Sequence, residues 1–146
     1  MKELLCYHSF EGENMKYDIN SILNSIADDL DLSETSFHKI KTSYTAVAEI
    51  LNEDETIKRY GKMSIFPQGS VGLGTVVRPL NDEYDVDMVL LLNNKAIDMK
   101  TLKQSVGNVL KNDRRYRDKL DEEGKRCWTL KYDGYHMDIL PARTPL

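Results

Sequence analysis

From Tyr17 onward the chain takes on a helical rhythm. Ile19, Ile22, Leu23, Ile26 and Leu30 recur at helical spacing, which predicts an amphipathic helix. Asp28, Asp29 and Asp31 gather near its C-terminal end, where the helix dipole disfavours acidic groups; a polar turn accounts for them equally well. Ser33 is a candidate cap for a second helix, and Phe37, Ile40, Tyr44, Val47, Ala48 and Leu51 supply its apolar stripe. That pattern predicts one helix over residues 34–59. A helix of that length needs tertiary support and reads as a brace behind another element. Residues 1–16 show little periodicity and are expected to form an arm or to dock locally.

After Gly61 the period changes. Met63-Ser64-Ile65-Phe66 reads as a short strand, and Pro67 marks where it ends or bends. Tyr84–Leu92 is the strongest strand signal. It alternates acidic and apolar residues at first and then runs continuously apolar, as in a strand covered on both faces. Asp98 is expected to cap a helix carrying Leu102, Val106, Val109 and Leu110. The charged stretch 112–124 reads as a short helix or a connection. Arg126–Tyr132 and Tyr135–Leu140 flank Asp133-Gly134, a tight-turn pair, so they read as a hairpin whose return strand stops before Pro141. The expected fold class is α+β, a mixed β-sheet with helices packed against it.

Composition narrows this picture without redirecting it. The 146 residues suffice for one compact domain. Twenty basic and 24 acidic side chains leave a formal net charge of -4, which excludes a broadly basic nucleic-acid surface but not a local nucleotide site. Cys6 and Cys127 are too few and too far apart for a disulfide scaffold or a clustered metal motif, so they read as buried or partly buried thiols. No run approaches the roughly 20 apolar residues of a membrane span. Residues 1–8 lack a secretory apolar segment. A soluble, reducing, cytoplasmic setting is expected.

Three carboxylates stand out. Asp85 and Asp87 are one residue apart on a predicted strand, so their side chains share a face. Asp138 sits on another predicted strand. If the strands are neighbours, the three converge, and carboxylate oxygens are the ligands that Mg2+ prefers. The competing reading is a solvated strand face with Asp138 independent. Paired acid–base work, as in glycoside hydrolysis, is a second alternative. Gln68-Gly69-Ser70-Val71-Gly72-Leu73-Gly74 can turn sharply and present backbone amides and the Ser70 hydroxyl to phosphate oxygens; alone it is a plain turn, and it is not a Walker A loop. Arg78 could meet phosphate or orient the loop. Lys125 and Arg126 could line a cleft or solvate a strand start. His136 shares a face with Asp138. Trp128, Tyr132 and Tyr135 could stack on a base or pack in the core. His8 and His38 belong to no metal pattern.

Taken in order, Phe66-Pro67-Gln68-Gly69-Ser70, Gly74-Thr75-Val76-Val77-Arg78-Pro79, Tyr84-Asp85-Val86-Asp87 and His136-Met137-Asp138-Ile139-Leu140-Pro141-Ala142 resemble the nucleotidyltransferase superfamily of DNA polymerase beta, poly(A) polymerases and oligoadenylate synthases. The closer resemblance is to the CD-NTases, bacterial cyclic-oligonucleotide synthases related to cyclic GMP-AMP synthase. It implies an N-terminal helical brace over residues 1–62 and a partial catalytic core over 63–146. By the same resemblance, Gln68, Gly69 and Ser70 hold the donor phosphates, and Asp85, Asp87 and Asp138 are the catalytic, metal-binding acids. Asp138 also favours deprotonation of an attacking ribose hydroxyl. Mg2+, with Mn2+ as a substitute, is the implied cofactor. An NTP donor and a nucleotide acceptor are the implied partners, with a regulatory protein left open and antiphage signalling as the biological setting.

Two departures qualify the resemblance. Val71 and Gly72 stand where some relatives carry an aromatic and a basic residue, so a side-chain contact to the donor is lost. The sequence also stops just after the third acidic motif, so it is expected to be a truncated piece lacking a C-terminal helical lobe. Linear RNA or nucleotide tailing, nucleotidylation of a macromolecule, a non-catalytic nucleotide-binding module and a plain helical interaction domain remain as alternatives to cyclic-product synthesis.

Overall fold

A computed structural model describes the backbone of residues 12–77, 83–94 and 96–144, and side chains from Ile19 onward. Four strands, β1 (Met63–Pro67), β2 (Tyr84–Leu92), β3 (Trp128–Tyr132) and β4 (Tyr135–Arg143), form one sheet in the order β1-β2-β4-β3. β1 and β2 are antiparallel, β2 and β4 parallel, and β3 and β4 antiparallel. The sheet is mixed, as the sequence pattern predicts. The helices are α1 (Gly12–Leu30), α2 (Glu34–Glu53), α3 (Glu55–Lys58), α4 (Gly69–Leu73), α5 (Met99–Asn112) and α6 (Arg114–Arg117).

Strand alternation divides the sheet into two faces. On β4, Tyr135, Met137 and Ile139 are buried while His136, Asp138 and Leu140 are only partly covered. On β2, Val86, Met88 and Leu90 are buried while Asp85 and Asp87 are exposed. The buried face is the core face: α2 packs on β1 and β2, and α5 on β4. The three candidate acids therefore all stand on the other face.

The chain divides into two compact units between Asp31 and Leu32. The first contains α1, whose apolar residues Ile19, Ile22, Leu23 and Ile26 are about half exposed. The second contains α2 to α6 and the sheet. Ser33 caps α2, as its sequence position suggests, accepting from the Ser36 amide at 3.1 Å. The single helix expected over 34–59 is corrected to two. Asp54 leaves the helical conformation (φ -66°, ψ 126°), and its carboxylate caps α3 through the amides of Thr56 and Ile57. An aspartate that competes for backbone donors breaks a helix that the apolar pattern alone would continue. One residue pair upstream, Asn52 ties α2 to the sheet. Its Oδ1 accepts from the Met63 amide at 2.9 Å and its Nδ2 donates to the Met63 carbonyl at 3.1 Å.

Asp98 caps α5 as expected, accepting from Thr101 N–H at 3.0 Å. The charged stretch contains the short α6, capped by Asp113. β4 corrects a further expectation, because it continues through Pro141 to Arg143. β3 pairs only as far as Ile139, so Pro141 lies where β4 has one strand neighbour, and a missing amide is tolerated there.

Trp128, 1% exposed, joins β3 to α5. Its indole N–H donates to the Lys103 carbonyl at 2.8 Å. Its ring lies flush on Gly107, where a Cβ would collide with Cζ2 and Cε2 of the indole. A glycine in mid-helix is normally unfavourable relative to alanine by about 1 kcal/mol; here close approach of the ring requires it. Gly107→Ala is expected to destabilise the protein by about 1–3 kcal/mol despite better helix propensity, read as a lower urea midpoint with an unchanged m-value.

Candidate active site

β1 carries the chain to the site. Its ladder with β2 closes at Pro67↔Met88, and one further backbone bond follows, from the Gln68 amide to the Asp87 carbonyl at 2.8 Å. The chain then leaves the sheet at Gly69, in the left-handed region at φ +58°, and winds into α4. A Cβ on Gly69 would lie 2.5 Å from Asp87 Oδ2, so glycine is demanded both by the backbone angle and by contact with the carboxylate. Gly72 is demanded by space alone, since a Cβ there would sit 2.8 Å from the Pro67 carbonyl oxygen. Gly74 (φ +68°) ends the turn as its C-cap. The Gly-Ser segment is thus a helical turn pressed on β2.

The parallel ladder between β2 and β4 sets the acids. Asp87 pairs with Asp138, and Asp85 pairs with His136. A small cavity of about 110 Å³ is lined by Gln68, Asp87, Met88, Val89, Cys127, Asp138 and Leu140. The structure therefore brings Gln68, Gly69, Asp87 and Asp138 together. Asp85 stands at the rim, its side chain 83% exposed and Oδ1 4.0 Å from His136 Nδ1. Ser70 is exposed on α4.

Among the described residues no three His, Cys, Asp or Glu side chains stand close enough to share one ion. The fit to a divalent cation rests instead on the Asp87–Asp138 pair. The Asp87 carboxyl is pushed above its ordinary range by partial burial first, then by the negative charges of Asp138 and Asp85. Hard oxygen donors repelling one another on a half-open sheet face are the setting a hard cation relieves. Asp85, largely exposed, stands on the same strand face as Asp87.

Two side chains at the site escaped the sequence reading of chemistry. Thr129 Oγ1 donates to Asp138 Oδ1 at 2.5 Å, and Cys127 lines the cavity, its thiol held above its ordinary range chiefly by burial. A signal for Thr129 was present. A two-residue turn at Asp133-Gly134 fixes the hairpin register, and that register puts Thr129 opposite Asp138.

The other candidates divide. Trp128 and Tyr135 are buried, and Tyr132 stacks on Tyr135 with centroids 4.8 Å apart, so these rings belong to packing. Lys125 and Arg126 are exposed beside Lys100 and Lys103, around a different depression. His38 lies exposed on α2. Cys6, His8 and Arg78 fall outside the described residues.

The model of the "Second Messenger Oligonucleotide or Dinucleotide Synthetase domain" matches residues 15–145. The chain belongs to this family. A c-di-GMP synthase of Roseivirga ehrenbergii is 31% identical over 133 residues, covering 88% of this chain and 35% of that protein. Among solved structures, the CD-NTase CdnG of Bradyrhizobium diazoefficiens, in complex with GTP, is similar with a TM-score of 0.66 and 26% identity, over 81% of this chain and 35% of that one. The Vibrio cholerae DncV cyclic AMP-GMP synthase, in complex with a linear intermediate, shares the fold at a TM-score of 0.67 and 14% identity, over 82% of this chain and 46% of that one. The chain thus spans about a third of the curated relative and of CdnG. Among the described residues of this synthetase-domain chain, no helix is long and apolar enough to cross a membrane.

The elevated Asp87 carboxyl has a consequence for stability. Between its unfolded and folded titrations the folded protein holds the extra proton, so stability falls as pH rises out of the ordinary carboxylate range. Asp87→Asn removes that loss. The variant is expected to melt above the wild type at neutral pH, with the gap closing in acid. Added Mg2+ is expected to raise the melting temperature of the wild type and not of the variant, as followed by circular dichroism.

Proposed function

We propose that the complete protein is a metal-dependent nucleotidyltransferase that makes a cyclic di- or oligonucleotide from NTPs and releases pyrophosphate. The observation that carries this reading is the placement of the Gly-Ser turn. The Gln68 amide is bonded to the Asp87 strand, Gly69 is pressed on the Asp87 carboxylate, and Asp138 stands across the parallel ladder. A phosphate seated on the amides of that turn would lie next to the acid pair. Family membership and the name of the curated relative, c-di-GMP synthase, support the cyclic product and make GTP the first nucleotide to test.

In this reading Gln68, Gly69 and Ser70 hold the donor phosphates: Gly69 and Ser70 through backbone N–H groups, Ser70 also through its hydroxyl, and Gln68 through its side-chain amide, since its backbone N–H is engaged by the Asp87 carbonyl. Asp85, Asp87 and Asp138 hold divalent cations, Mg2+ or Mn2+. When bound, these ions supply neutralisation of the charge that develops on the phosphoryl oxygens. Asp138 favours proton loss from the attacking ribose hydroxyl. The ribose oxygen forms a bond to the α-phosphorus while the bond to the bridging oxygen breaks, and pyrophosphate leaves. The turn and the two strands contribute orientation, which is worth most when the reacting groups are held by rigid backbone. Residues 1–62 serve as the helical brace and 63–146 as part of the catalytic core. Bacterial antiphage signalling in the cytoplasm is the setting this chemistry would serve.

The test is to incubate the complete protein with labelled ATP, GTP, CTP and UTP and Mg2+ or Mn2+. Products are treated with phosphatase and resolved by chromatography and mass spectrometry. Phosphatase-resistant cyclic products are expected. Extension of added RNA would replace the reading with linear tailing, and absence of metal-dependent turnover by folded protein would end it. Asp87→Asn is expected to lower turnover by more than the roughly 10–100-fold typical of groups that act only behind a metal ligand.

A further inference from the structure

We propose that Thr129 is a positioning residue for Asp138, holding one carboxylate oxygen so that the other is presented to the reacting centre. The inference rests on the nucleotidyl-transfer reading above and adds to it a residue outside the Gly-Ser and acidic motifs.

Thr129 and Asp138 are directly opposed in the β3–β4 ladder. The Thr129 hydroxyl donates to Oδ1 of Asp138 at 2.5 Å, across a half-buried part of the sheet. β3 lies on the far side of β4 from β2. The hydroxyl therefore anchors Asp138 from the side opposite Asp87. The terminal torsion of an aspartate is otherwise broad and roughly two-fold. A hydrogen bond to one oxygen narrows it, with the Cys127 thiol as a further neighbour of the carboxylate, and presents the second oxygen to a cation or a ribose hydroxyl. Threonine suits this task. Its branched Cβ restricts its own χ1 on a strand, so the donor is itself held in place. Partners of this kind behind a metal-binding carboxylate typically change metal affinity or activity by about 10–100-fold.

The test compares Thr129→Val, Thr129→Ala and Thr129→Ser in the complete protein, with melting temperature checked for each. Mn2+ alone is titrated by electron paramagnetic resonance, and GTP turnover is measured at saturating Mg2+. Valine and alanine are expected to weaken Mn2+ binding and lower kcat by about 10-fold or more, with KM for GTP little changed because the Gly-Ser turn is untouched. Serine is expected to restore most of both. In an Asp138→Asn background the valine change is expected to have no further effect. Alanine introduces no new bulk, so it decides the matter if valine disturbs folding. Wild-type values in folded valine or alanine variants overturn the proposal. A serine variant as impaired as alanine does so too, as does a further loss in the Asp138→Asn background. These outcomes leave an active wild type. A wild type that neither binds Mn2+ nor consumes NTPs instead refutes the nucleotidyl-transfer reading on which the proposal stands.

Discussion

A single backbone hydrogen bond, from the Gln68 amide to the Asp87 carbonyl, ties the Gly-Ser turn to the strand that carries the acids. Pro67 ends β1 and has no amide to give, so the next residue supplies the last contact between β1 and β2. That contact fixes where the chain leaves the sheet. The departure at Gly69 then follows from geometry, because the path away from β2 runs through the left-handed region and over the Asp87 carboxylate. Gly72 has the same logic one turn later, against the Pro67 carbonyl. The helical turn and the acid it faces are thus one unit of backbone: a side chain at Gly69 would push the turn off Asp87, and one at Gly72 would push it off the end of β1.

The second constraint is electrostatic. Folding places three carboxylates on one sheet face. Partial burial and mutual repulsion both disfavour the charged form of Asp87, so holding this carboxylate charged costs stability. The remainder of the sheet offsets this. The core face of β2 and β4 is apolar and fully packed, with Val86, Met88, Leu90, Met137 and Ile139 all at 0% exposure. Strict alternation lets one strand serve both purposes, since neighbouring residues point to opposite faces. Asn52, bridging α2 to Met63, and Trp128, bridging β3 to α5, anchor the helices that cover the core face.

Much of this was legible in the sequence because period-2 and helical patterns are local. The bounds of β2, the caps Ser33 and Asp98, the hairpin turn and the shared face of Asp85 and Asp87 all follow from residue type and spacing. The adjacency of Asp138 and Asp87 does not, because it depends on a parallel pairing between strands separated by a long connection, and no local rule sets that register. The break at Asp54 was hidden for a different reason. Its apolar neighbours continue the helical stripe, and only the competition of its carboxylate for backbone amides reveals the stop. Pro141 misled in the opposite direction, since a proline is a strand terminator only where its position needs an amide. Thr129 was overlooked although the turn register already placed it opposite Asp138, because a hydroxyl on a strand carries no signature of its own.

The Asp133-Gly134 turn, with Gly134 at φ 85°, also separates two kinds of alignment. It sets the offset of β3 against β4, and so decides which residue faces Asp138 from the sheet edge. It has no bearing on the offset of β4 against β2, which brings Asp138 to Asp87. A one-residue slip of β3 against β4 would turn the β3 face that carries Thr129 away from Asp138, while the acid pair kept its spacing. The residue opposite Asp138 on the edge strand can therefore change without disturbing the acid pair. The central pair of strands has no such latitude.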